Sequence, residues 1–318
     1  MKFRFPPIIF FFWAFYACSD TGEIEQSVVE RNDGSKINYY MFESSHTLSG
    51  NTLLLILQGS DCNSVLQIES IFVDYKNIWP AADLLLIEKY GIDRELSYSS
   101  EVEREDCPIQ YLQKDSPKQR VSDIKIVLDI VRKDDKYSNF IVLGGSEGAI
   151  IANLLAASID YVDATISFNG GGRWFIDDII HSIMSGYENS DDAKEGIAGF
   201  RKFSEHILNS KVFALEVSGH GYSWWHQMLS IDQLNVLQKV DSPLLVLQGG
   251  IDLSVSPQKV DELILALRKL GKENIEYLTY EGLDHGFNNI QGQSEREKVV
   301  NNINTWLKKT VVSPKKSM

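Results

Sequence analysis

The 318-residue chain is 43% apolar, and its 31 lysines and arginines stand against 44 aspartates and glutamates for a formal charge of −13. That is enough apolar material for one enzyme-sized core, and no internal repeat or low-complexity run divides it. The basic residues are dispersed apart from Lys308-Lys309 and Lys315-Lys316 at the C-terminal end; this argues against nucleic acid as a partner and leaves little attraction to an anionic bilayer.

Lys2 and Arg4 precede a short apolar stretch, Ile8 to Ala17, and Cys18-Ser19-Asp20 follows it. The stretch is too short to span a bilayer comfortably and has the form of an export signal. Ala17-Cys18 is similar to the end of a bacterial lipobox, with Phe15 where leucine is usual. Residues 1–17 are therefore expected to be a signal, with cleavage and lipidation at Cys18. An ordinary secretory signal or an uncleaved anchor is the alternative. Acidic and polar residues from Asp20 to Glu25 then form a tether, and the protein is expected in a bacterial cell envelope, touching membrane only through that lipid.

Ile24 to Val29 and Lys36 to Phe42 alternate apolar and polar residues across Arg31-Asn32-Asp33-Gly34. Asp-Gly marks a hairpin, so the sheet is expected to begin with an antiparallel edge. Parallel strands are predicted at Leu53 to Leu57, Asp83 to Glu88, Asn139 to Leu143, Ala164 to Phe168, Leu244 to Leu247 and Glu276 to Tyr280. Helices are predicted near Val121 to Val131, Gly148 to Ala157, Pro257 to Leu270 and Glu295 to Lys309. Helical crossovers between parallel strands make this a three-layer α/β sandwich. Once Cys18 is processed, an exported chain keeps the even pair Cys62 and Cys107, which invites a disulfide. Two separate buried thiols are the plainer reading of the same residues.

Gly144-Gly145-Ser146-Glu147-Gly148 joins the apolar run Asn139 to Leu143 to the helical pattern beginning at Ala149. Glycines flanking a serine at a strand-to-helix corner expose its hydroxyl, and the corner aims the Glu147 N–H and the helix dipole at a developing oxyanion. Ser146 is thus a candidate nucleophile, while the Glu147 side chain is expected to cap or line the first helical turn. A serine hydroxyl needs a histidine to take its proton and an acid to hold that histidine. Asp252 follows the apolar run Pro243 to Gly249, and His285 lies in the loop Gly282 to Phe287 beyond the last strand. Both therefore sit at strand carboxyl ends, where open parallel sheets place their sites. Asp284 is the rival acid, but adjacent to the histidine it reads better as a turn-former. His46, His181, His206, His220 and His226 lack that setting and read as surface or lid residues, His226 within an aromatic cluster.

From Gly170 to about Lys239 no strand pattern appears between two core strands, which points to an inserted helical cap. Its Trp174, Phe175, Tyr187, Phe200, Phe203, Phe213, Tyr222, Trp224 and Trp225 are expected mostly to pack, yet as a group imply a partly apolar acyl or alcohol site. Arg173 is expected to pair with Asp177 or Asp178 in the cap rather than with a substrate carboxylate.

The Gly-Gly-Ser-x-Gly corner, Gly-x-x-Asp and Asp-His-Gly, in that order, resemble an α/β-hydrolase of the prolyl-oligopeptidase-like or dienelactone-hydrolase-like esterase branches, over roughly residues 37 to 309. The resemblance implies a hydrolase domain over 37–318 with a cap at about 173–239. It implies Ser146 as nucleophile, His285 as general base and then acid, and Asp252 as orienting carboxylate. A second oxyanion donor is implied in the loop Gln58-Gly59-Ser60-Asp61-Cys62, at the Ser60 N–H, with Asp61 its neighbour; Gln58 stands where histidine is frequent. The expected reaction is acyl transfer to water, on a small-molecule ester or thioester, with no metal or organic cofactor. A serine peptidase on short peptides and a non-catalytic binding protein of the same fold are the alternatives.

Overall fold

The computed structural model describes residues 25–44, 51–101, 103–133, 136–187 and 190–311. The export signal, Cys18, His46 and Lys315-Lys316 lie outside them. One sheet of eight strands forms the middle layer: β1 (Glu25–Glu30), β2 (Lys36–Phe42), β3 (Thr52–Leu57), β4 (Asp83–Ile87), β5 (Asn139–Gly145), β6 (Ala164–Phe168), β7 (Leu244–Gly249) and β8 (Ile275–Tyr280). In space the order is β1-β2-β4-β3-β5-β6-β7-β8. β1 pairs antiparallel with β2 and β2 with β4, and every later pairing is parallel.

The helices are α1 (Glu69–Val73), α2 (Ile109–Lys114), α3 (Pro117–Val131), α4 (Glu147–Ala156), α5 (Phe175–Gly186), α6 (Ser190–Asn209), α7 (Tyr222–Ser230), α8 (Gln233–Leu237), α9 (Pro257–Lys269) and α10 (Arg296–Thr310). β3 and β4 are buried along their whole length, as strands covered on both faces must be. One face packs Leu54, Ile56, Ile141 and Leu143 against Val299, Ile303 and Trp306 of α10. The other packs Leu53, Leu55, Phe140 and Val142 against Ile124, Val127 and Leu128 of α3 and Ile151 and Leu155 of α4. α5 to α8 intervene between β6 and β7; α5 to α7 cover the cavity as a cap, while Leu234 and Leu237 of α8 pack with Val260, Leu263 and Ile264 of α9.

The sequence left α1 and α2 unmarked, since helices of 5 and 6 residues are too short to display a repeating apolar stripe. β5 also runs two residues further than its apolar run, through Gly144 and Gly145. Its register pairs Gly144 with Leu57 of β3 and Gly145 with Phe168 of β6, so the corner at Ser146 opens where these three strands end together.

Candidate active site

Ser146 caps α4 with φ 55° and ψ −126°, a backbone setting that costs an L-residue ~1–3 kcal/mol. The surroundings enforce it: the Ser146 N–H donates to Phe168 O at 2.9 Å, and its own carbonyl accepts from Ala149 N at 3.0 Å. Close backbone approach explains the glycines. A Cβ on Gly148 would stand 2.2 Å from Leu57 O, and one on Gly144 would stand 2.0 Å from Gly148 O.

Asp252 follows β7 and is fully buried, whereas the His285 side chain is 31% exposed. His285 Nδ1 lies 2.7 Å from Asp252 Oδ2, which also accepts from Gln248 Nε2 at 3.2 Å. Asp252 Oδ1 accepts from the N–H groups of Ser254 and Val255 at 2.8 and 3.0 Å. A carboxylate oxygen facing Nδ1 favours the proton on that nitrogen, which leaves Nε2 as the ring's acceptor. Asn169 steadies the histidine loop: its Nδ2 donates to His285 O and its Oδ1 accepts from Gly249 N, both at 2.8 Å. Ser146 and His285 line one cavity of about 920 Å³. Their side chains share no hydrogen bond, an arrangement common where substrate is absent and such contacts are long.

The loop after β3 runs beside the serine, for a Cβ on Gly59 would touch Ser146 Cβ at 3.6 Å and Oγ at 4.0 Å. Ser60 and Glu147 line the same cavity. As the first helical residue, Glu147 has a backbone N–H with no partner inside α4. Its side chain turns elsewhere: Oε1 pairs with Arg120 Nη1 at 2.8 Å and Oε2 accepts from Trp224 Nε1 at 2.8 Å, all buried. The loop is tied further by the Cys62–Cys107 disulfide, with Cα atoms 6.1 Å apart.

Other sequence expectations resolve individually. Asp284 Oδ1 accepts from the N–H groups of Gly286 and Asn288, so it forms its own turn. Arg173 pairs with Asp232 at 2.7 Å and not with Asp177 or Asp178; Asp232, the N-cap of α8, lies 59 residues downstream, beyond any local pattern. Asp178 instead accepts from the N–H groups of Gly172 and Ser256 at 3.0 and 2.9 Å, and burial pushes its carboxyl up to about 7. His181 Nε2 lies 2.9 Å from Asp252 O, tying α5 to the acid's loop. His220 is buried rather than superficial, stacked on Trp224 at 3.6 Å, and burial pulls its imidazole down to about 3. His226 stacks on Tyr222 at 5.6 Å.

Of the nine cap aromatics, Phe175, Phe200, Phe203, Trp224 and Trp225 line the cavity, more than packing alone demands. Ile150, Ile179 and Met228 extend this apolar wall. Among the described residues no lysine or arginine lines the cavity, while Asp61 and Glu101 stand exposed within its lining.

The prolyl oligopeptidase family matches residues 197–313, a stretch that holds Asp252 and His285 but not Ser146. No curated protein matches the sequence. Among solved structures, Est1E from Butyrivibrio proteoclasticus superposes with a TM-score of 0.58 at 14% identity, over 91% of this chain and 99% of its own. The Pyrococcus furiosus esterase Pf2001 does so at 0.57 and 14%, over 91% and 92%. The Pyrococcus horikoshii acylaminoacyl peptidase gives 0.61 and 13% over 95% of this chain, which spans only 43% of that larger enzyme. What the chain shares with these three enzymes is the fold, an eight-stranded sheet flanked by helices.

Proposed function

We propose that the chain is an exported serine hydrolase that cleaves carboxylic esters of bulky, uncharged, apolar groups. The observation that carries this reading is the His285–Asp252 pair opening into the same cavity as a serine held at positive φ. Ser146 Oγ attacks the carbonyl carbon as His285 Nε2 takes its proton, and the N–H groups of Glu147 and Ser60 hold the oxyanion. The imidazolium, steadied by Asp252, returns the proton to the leaving alcohol. Water then repeats the sequence on the acyl-enzyme, releasing the acid and regenerating the serine.

The aromatic wall favours apolar groups, and a lining without lysine or arginine among the described residues, with Asp61 and Glu101 exposed within it, disfavours anionic ones. The disulfide accords with an oxidising compartment, as export, with or without lipidation at Cys18, requires. Among the described residues no helix is long and apolar enough to cross a membrane. A peptidase on short acylated or free peptides is the second reading, favoured by the family that matches residues 197–313.

The test is labelling with a fluorophosphonate together with parallel turnover of neutral aryl esters, their carboxylate-bearing analogues and peptide anilides. Ser146-dependent labelling is expected, with a Ser146→Ala loss in kcat of at least about 10⁴-fold and neutral esters preferred. Folded protein that does not label refutes the reading, and anilides turned over faster than esters establish the second.

A further inference from the structure

The loop between β3 and α1 has its carbonyl oxygens engaged by side chains almost residue by residue. Gln58 O accepts from Arg120 Nη2 at 3.0 Å, Ser60 O from the Tyr111 hydroxyl at 3.2 Å, and Asp61 O from Lys89 Nζ. Cys62 O accepts from Arg104 Nη1 and Asn63 O from Gln58 Nε2, both at 2.9 Å. A trans peptide points its N–H opposite its carbonyl, so fixing a carbonyl also fixes where the neighbouring N–H faces. The peptides on both sides of Gly59–Ser60 are held in this way, which leaves little freedom for the one whose N–H is the candidate donor.

Arg120 does more than hold one carbonyl. Its Nη1 grips the Glu147 carboxylate while its Nη2 grips Gln58 O, so one buried planar group joins the corner residue to the opposing loop. The two N–H groups assigned to the oxyanion, at Glu147 and Ser60, belong to the two segments so joined. A guanidinium suits this task because its donors diverge at fixed angles, whereas an ammonium on a flexible stem offers no such fork.

We propose that Arg120 is a positioning residue of the oxyanion hole, setting the separation of its two N–H donors, with Tyr111 fixing the Ser60 side. The proposal rests on Ser146 being the nucleophile. Its effect is confined to the tetrahedral stage, because the carbonyl of a bound ester does not occupy the oxyanion position.

The experiment uses the full-length protein and four quantities: fluorophosphonate labelling, kcat, KM, and affinity for a trifluoromethyl ketone matched to the preferred ester. That ketone accepts Ser146 Oγ at its carbonyl carbon and passes its negative charge to the hole; the corresponding secondary alcohol binds without forming a tetrahedral adduct. Loss of one oxyanion donor costs about 10²–10³-fold. Arg120→Lys, which misplaces donors without deleting one, is expected to lower kcat roughly 10–100-fold and ketone affinity by a similar factor, with KM and alcohol affinity within about threefold. Tyr111→Phe is expected to lower kcat and ketone affinity together by a smaller factor. Arg31→Lys, altering a buried arginine that touches neither donor segment, serves as the control for lost stability and is expected to keep both quantities.

A wild-type protein that does not label overturns the functional reading and this inference together. Labelled wild type with an Arg120→Lys variant that keeps kcat and ketone affinity overturns the inference alone. So does an equal fall for Arg31→Lys. If Arg120→Lys does not fold, Tyr111→Phe decides: parental kcat and ketone affinity in that variant overturn the proposal.

Discussion

Helix α3 takes part in two buried arginine–carboxylate pairs one helical turn apart. Asp123 pairs with Arg31 of the edge hairpin and Arg120 pairs with Glu147, both at 2.8 Å and with all four side chains no more than 6% exposed. By burial and distance they are twins, and what separates them is the third partner. Arg31 spends its remaining donors within its own hairpin, on Ser35 Oγ and Lys36 O, and lies over the Tyr90 ring at 4.0 Å. Arg120 reaches across to Gln58 O in a loop that lines the cavity wall beside Ser146. A buried ion pair is weak evidence of stabilisation, since desolvation offsets most of the attraction. The useful question is therefore what else each guanidinium holds: one closes a sheet edge, the other spans a site.

The largest expected effect tests whether the two are equivalent to the folded state. Asp123→Leu and Glu147→Leu each strand a buried guanidinium, and each should cost about 3–5 kcal/mol in denaturant unfolding. A much smaller loss for Glu147→Leu would break the likeness. Next comes the covalent tie that only the loop side possesses. Replacing Cys62 and Cys107 together by serine should cost about 2–4 kcal/mol and also lower ester turnover; unchanged turnover would show that Arg120 and its neighbours hold the loop unaided.

The smallest effect is a pH slope that belongs to the cap side of the site. Asp178, with Asp177 and His181 nearby, holds its proton up to about 7 when folded, against 3.8 for an ordinary aspartate. Its contribution to stability is therefore full below about pH 4 and is lost as pH rises through 7. Asp178→Asn keeps an acceptor for Gly172 N and Ser256 N without the charge. The variant's melting temperature minus the parent's should thus grow from pH 5 to pH 8, and a constant difference would contradict the assignment.

The sheet was legible because strands buried on both faces are near-continuous runs of Leu, Ile and Val, as at Leu53 to Leu57 and Asn139 to Leu143. Asp252 stood out by the apolar run of β7 before it and His285 by the glycine-flanked loop after the alternating strand β8, and the structure brings the two within 2.7 Å; for Cys62 and Cys107, where a bridge and two separate thiols were both open, it shows the bridge. Arg120, Tyr111 and Lys89 were not legible. A polar residue on a helix, or a lysine in a loop such as Lys89, reads as solvated, and their partners lie 62, 51 and 28 residues away, where only folding brings them near. His220, read as a surface or lid residue, does lie in the cap interval, but it is buried there and stacked on Trp224, four residues on, beside a backbone bridge between Val217 and His220.

How the cap is fastened decides how solutes come and go. α5 is moored by Asp178 to the amides of Gly172 and Ser256, and α7 by Trp224 to Glu147. At the start of α7 a Cβ on Gly221 would stand 1.6 Å from Leu112 O, so main chain rests on main chain there. α6 packs chiefly on these two moored helices and offers Gly196 and Gly199 to the cavity. A roof pinned at two rafters does not swing like a door. The girth of what the site admits is then set by the residues that wall it there, Gly196, Gly199, Phe200 and Phe203 of α6 and the Tyr98 to Glu101 segment.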